Sequence, residues 1–224
     1  VKVYRQGLYE AVRQYLKPMP NEELASDEEP LSVLLSQGEL DFYLGQYQAN
    51  LSESLRLLGQ TSEIIGCYIT ETSARTARLE RLLSAPRFDL RLHSEVDHLG
   101  GVQLAAFAND LVAISGPLTV VTSQMLNALT RSLAVASDTE FAERTSFEQK
   151  LSELRDLQAL LQSTISNASA CREQMATYPR GSTVFNRGKR LALAAIDDHV
   201  HQLSRMAEVM KAAESDLQGV LALL

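Results

Sequence analysis

A carboxylate and an imidazole one helical turn apart can supply two ligands to a metal or share a proton. The sequence offers that spacing twice, in His93 with Asp97 and in Asp197 with His201, and His98 and His199 stand beside them. A metal site wants three or four ligands. Neither His93 nor His201 has a Glu three residues ahead of it, the spacing that di-metal bundles use. Surface ion pairs and helix caps are the simpler use of these residues. No metal or cofactor is expected. No nucleophile, base and orienting acid stand at a spacing that argues for a triad, and no catalytic residue is assigned.

Anion chemistry has two candidates. The segment Tyr178 to Arg190, YPRGSTVFNRGKR, places Arg180, Arg187, Lys189 and Arg190 around two glycines and Phe185. A phosphate-binding loop needs four residues between its glycines and Ser or Thr after the Lys. Here six residues separate Gly181 from Gly188, and Arg190 follows Lys189. Nucleotide hydrolysis is therefore rejected. What remains is a helix connection, or a basic loop that meets an acidic protein partner through Arg180, Phe185, Arg187, Lys189 and Arg190. The run Arg75, Arg78, Arg81, Arg87, Arg91 is diluted by Glu71, Glu80 and Asp89, as on a solvated face.

The most unusual pattern is a stripe of small residues seven apart: Gly38, Gly45, Ser52, Gly59, Gly66 and Ser73. Glycine inside a helix costs about 1 kcal/mol against Ala, so the stripe requires a compensating gain. Close packing against a neighbouring helix of the same bundle is the simpler gain. A groove for a partner helix, or for a second copy of the chain, is the other. The two cysteines, Cys67 and Cys171, lack metal-ligand spacing and are expected as buried thiols.

These residues must be carried by helices. Leu44, Leu51, Leu58, Ile65, Thr72 and Leu79 recur at seven and predict a first long helix over about 39–84, which Pro86 ends. Leu104, Phe107, Leu111, Ile114, Leu118, Val121, Met125 and Ala128 predict a second over about 94–136. Its phase survives Gly116-Pro117, so a kink and not a break is expected there. Phe147, Leu154, Leu161, Ala168 and Met175 predict a third, from an N-cap at Asp138 to about 178. Ile196, Leu203, Met210, Leu217 and Leu224 predict a fourth from about 189 onwards. Each spans roughly 50 to 70 Å at 1.5 Å per residue. Short connections make sequential helices antiparallel. The expected fold is all-α: an elongated antiparallel bundle of four long helices over 39–224, preceded by 1–38. That N-terminal part holds an amphipathic helix over 1–16, an acidic linker over 21–30 and a short apolar run over 30–36.

Composition agrees. Hydrophobic residues make up 45% and charged residues 22%, and with 11 Gly and 6 Pro the chain is poor in turn formers. A net charge of −7 argues against nucleic acid as a partner. No signal peptide is legible, and a cytoplasmic location is expected. The uncharged stretch 111–130 is long enough for a membrane span but rich in Ser, Thr, Gln and Asn. The function expected is a non-enzymatic helical interaction or scaffold module, bound to a protein partner or to itself. No small-molecule substrate is expected. The alternatives are a ligand-sensing bundle of a receptor and a membrane-inserting bundle.

Overall fold

The structure, a computed structural model, describes residues 28–84, 90–136, 144–178 and 180–222. It is an all-α helical bundle of α1 (Glu28–Leu83), α2 (Leu90–Ala136), α3 (Arg144–Ala176) and α4 (Thr183–Leu221). The chain divides into two compact units, residues 1–36 and 37–224. The expected N-terminal helix over 1–16, the Asp138 cap, Arg87 and Leu224 lie outside the described residues.

The boundaries differ from the sequence expectation at two places. α1 begins at Glu28 and absorbs the 30–36 run instead of leaving it as a separate helix. Pro30 is its third residue, where a missing N–H costs nothing because the first four N–H groups of a helix have no partner within it. α4 begins at Thr183, six residues before Lys189, because Ser182 caps it: the Ser182 hydroxyl accepts the Phe185 N–H at 3.2 Å.

The seven-residue recurrences mark the interior. Leu51, Leu58, Ile65, Leu104, Leu111, Leu118 and Met125 are buried, as are Phe147, Leu154, Leu161, Ala168, Met175, Ile196, Leu203, Met210 and Leu217. Each such side chain contributes roughly 1.5–3 kcal/mol on leaving water. α2 runs unbroken through Gly116 and Pro117. Pro117 deprives the Ala113 carbonyl of its helical donor, but Ala113 is exposed and water can serve it.

Polar contacts give the arrangement of the helices. Ser54 of α1 meets Thr122 of α2 at 3.3 Å, and Tyr47 of α1 reaches the Lys150 carbonyl of α3. Ser115 of α2 meets His199 of α4, and Arg155 of α3 meets Glu214 of α4. The contacts therefore run from α1 to α2, α2 to α4, α4 to α3 and α3 back to α1. α1 and α2 are antiparallel, as are α3 and α4, while α2 and α4 lie side by side and parallel.

The core falls into two apolar clusters. One gathers Leu58, Leu118, Leu161 and Leu203 with their neighbours; the other gathers Ile65, Leu111, Ala168 and Ile196. Buried polar residues stand at the changeover. Thr61 lies between the two clusters on α1, Thr164 on α3 and His199 on α4, and Ser115 lies just past the changeover on α2.

Candidate functional site

The small-residue stripe faces outward. Gly38, Gly45, Ser52, Gly59, Gly66 and Ser73 are all exposed. A Cβ built on Gly38, Gly45, Gly59 or Gly66 would meet no atom of the described residues within 4 Å. Close packing against the described helices, the simpler of the two expectations, is thus overturned. From 52 to 73 each stripe residue directly follows a core residue (Leu51, Leu58, Ile65, Thr72), which turns it about 100° away from the interior. Phe42 and Leu55 of α1 stand out beside the stripe, 59% and 40% exposed. Gly45, Ser52, Leu55, Gly59, Ser62, Gly66, Ile69 and Ser73 carry no charge. Cys67 is also exposed, against the expectation of a buried thiol, whereas Cys171 is buried and its pKa is pushed up to about 11 by desolvation.

The glycines that do allow close approach lie elsewhere. A Cβ on Gly101 of α2 would sit 2.7 Å from the Phe185 backbone, and one on Gly188 of α4 would strike the Gly101 carbonyl. One on Gly100 would strike the Arg75 guanidinium. Here α2 and α4 touch backbone to backbone, and three helices are joined around one ion pair. Arg75 of α1 lies 3.6 Å from Asp97 of α2, both side chains largely buried. The other Asp97 oxygen accepts the Ser182 N–H at 2.6 Å, at the positive end of α4. Arg75 also lies 4.4 Å from the centre of the Phe185 ring. Replacing Asp97 with Asn keeps an acceptor for Ser182 but leaves the Arg75 charge unmatched. The expected loss is about 2 kcal/mol, measured by urea denaturation. A loss below a few tenths of that would show the pair to be solvated.

The basic loop is dismantled by this junction. Phe185 is only 3% exposed, in the first turn of α4, and cannot serve as an outward contact. Lys189 Nζ donates to the Ala176 and Tyr178 carbonyls and so caps the end of α3. Gly181 and Asn186 exchange two hydrogen bonds that fix the turn. Only Arg180, Arg187 and Arg190 present themselves to solvent.

The acid–histidine pairs do not assemble. Asp97 serves Arg75, and Asp197 pairs with Arg172. Glu95 and His98 also have the Glu-x-x-His spacing, which the sequence reading passed over; both are exposed, and Glu95 pairs with Arg91. Among the described residues no three His, Cys, Asp or Glu side chains gather as a metal would require.

His199 is the buried histidine. Ser115 Oγ donates to the Leu111 carbonyl at 2.7 Å, so it accepts from His199 Nδ1 at 2.5 Å. Nε2 is then a lone pair with no partner in the interior. Desolvation lowers the pKa to about 4, and the ring is neutral at ordinary pH.

Two further surfaces involve α2, whose uncharged stretch 111–130 was already legible in the sequence. α2 exposes Leu99, Val102, Val112 and Val120, and its most apolar window is only 33% buried. Between α2 and α4 lies a cleft of about 330 Å³ lined by Thr119, Ser123, Asn127, Gln202, Arg205 and Met206, among others. The cleft has no local signature: Thr and Gln on a helix announce a surface only once the neighbours are known. No family model, no curated protein and no solved structure matches the chain.

Proposed function

We propose that the chain is a non-enzymatic helical interaction module that associates through the outward face of α1. The observation that carries this reading is the open stripe: helical glycines at 38, 45, 59 and 66 with no atom of the described residues to pack against. Each weakens the helix by about 1 kcal/mol with no return from the described residues, which a partner lying close to the backbone would supply.

The occupant the face fits is the same face of a second copy. It carries holes, at Gly45, Gly59 and Gly66, and knobs, at Phe42 and Leu55, on one helix. A two-fold interface needs such self-complementarity, because one patch must serve both sides. The stripe residues themselves are uncharged, and the exposed charges that flank them, Asp41, Arg56 and Glu63, are of both signs. Light scattering after size exclusion is expected to give a dimer, and the double variant Gly59→Arg, Gly66→Arg a monomer of unchanged helicity. A wild-type monomer at the highest attainable concentration defeats the reading.

A second reading rests on α2. Residues 99–130 hold a single charge, Asp110. The helix is long and apolar enough to cross a membrane, and its most apolar window is only one-third buried. Release of a trapped dye from anionic liposomes between pH 5 and 7 would support insertion; tight liposomes throughout that range would exclude it.

A further inference from the structure

We propose that the cleft between α2 and α4 is a binding site for a small organic carboxylate with an apolar body. Its position follows from the glycine contact. Gly101 and Gly188 hold α2 and α4 backbone to backbone at one end. Farther along, the larger side chains Leu126 and Met206 line the seam, which holds a space of about 330 Å³. That is the lower end of the range for small-molecule sites, roughly 300–1,000 Å³.

The lining decides the ligand class. Leu126, Met206 and Val209 supply an apolar floor and wall, the first two buried. Arg205 is the one charged residue in the lining, and no acid lines the cleft. Among the described residues Arg205 has neither an ion pair nor a hydrogen bond. Around it stand the amides of Asn127 and Gln202 and the hydroxyls of Thr119 and Ser123. The Thr119 hydroxyl gives its one proton to the Ser115 carbonyl at 2.9 Å, and the Ser123 hydroxyl gives its own to the Thr119 carbonyl at 2.8 Å, so the amide NH2 groups of Asn127 and Gln202 are the neutral donors beside the guanidinium. A site with one cation, two amide donors, no anion and an apolar base complements a monocarboxylate and disfavours an amine. The amides alone would not discriminate; the unpaired guanidinium does.

Binding can be followed by titrating the full chain with hexanoate or benzoate, against hexanamide, benzamide and hexylamine as controls. The readouts are melting temperature and the amide resonances of residues 119–127 and 202–209. The carboxylates are expected to raise the melting temperature and to shift those resonances, and the amides and the amine to do neither. Arg205→Gln, at an exposed position without partners, is expected to leave helicity unchanged and weaken binding by about tenfold or more. Arg205→Lys, which keeps the charge and loses the fork, is expected to fall between. The site is refuted if millimolar carboxylate leaves both readouts still, if hexanamide acts as well as hexanoate, or if Arg205→Gln binds as the parent does. None of these outcomes bears on whether α1 joins two copies, since the cleft uses neither its stripe nor its knobs.

Discussion

Replacing Gly101 or Gly188 with Ala is expected to cost the bundle about 3 kcal/mol, while the same change at Gly59 or Gly66 stabilises it by about 1 kcal/mol. All four are helical glycines, so intrinsic propensity favours Ala at each of them. What separates them is the space that a methyl group would enter. At Gly101 it meets the backbone of Val184 and Phe185, and at Gly188 the carbonyl of Gly101. Backbone cannot rotate aside as a long side chain can. α2 and α4 would have to part, and with them the packing of Phe185 and the Asp97 contact to Ser182. At Gly59 and Gly66 the methyl group enters open space. Urea denaturation of the four variants, at a protein concentration where the chain is monomeric, gives the comparison directly. Loss of stability at Gly59 or Gly66 would mean that the stripe is covered within the chain. Tolerance at Gly101 and Gly188 would mean that α2 and α4 do not touch there.

The contrast also shows what the sequence held and where it failed. Leucines at seven-residue intervals report a buried seam because only burial repays their exposure to water, and Leu58, Leu111, Leu161 and Leu203 all lie inside. The same periodicity among glycines reports only that they share a face. Which face follows from phase: Gly59 is next to Leu58 and Gly66 next to Ile65, so both are rotated off the core. Gly101, by contrast, has no glycine seven residues to either side, and Gly188 has only Gly181, in a stretch that reads as a loop. Their role depends on the register between α2 and α4. Phe185 was misplaced for the same reason. Its neighbours Arg180, Arg187 and Arg190 suggest an exposed loop, and only the Ser182 cap and the Asp97 carboxylate, supplied from 85 residues away, draw it into a helix. The 330 Å³ cleft is likewise a product of two helices meeting, with no residue in it unusual on its own.

Acid is expected to weaken the fold through one residue. The His199 ring is neutral in the folded chain, its pKa held near 4 by desolvation. In the unfolded chain it takes a proton near pH 6.5. Between those values the unfolded state binds a proton that the folded state refuses, so stability falls as pH drops through 6.5 and levels off near 4. At about 1.36 kcal/mol for each pH unit across that interval, the full loss is about 3 kcal/mol. Above pH 6.5 the contribution is complete. Among the described residues two carboxylates have a depressed pKa, Glu53 by its bond to Arg56 and Glu214 by Arg155; they begin from a lower ordinary value, so their share is lost only at the acid end of the interval. The decline between pH 6.5 and 5 therefore belongs to His199. His199→Asn places an amide donor where Nδ1 now meets Ser115 and removes the titration. It is expected to unfold at a urea midpoint independent of pH between 6.5 and 5, whereas the parent midpoint falls steadily. Equal slopes for the two proteins would show that the ring gains a proton without leaving the interior. The middle of the bundle would then have to hold water beside Nε2, among Ser115 and the apolar neighbours of α4.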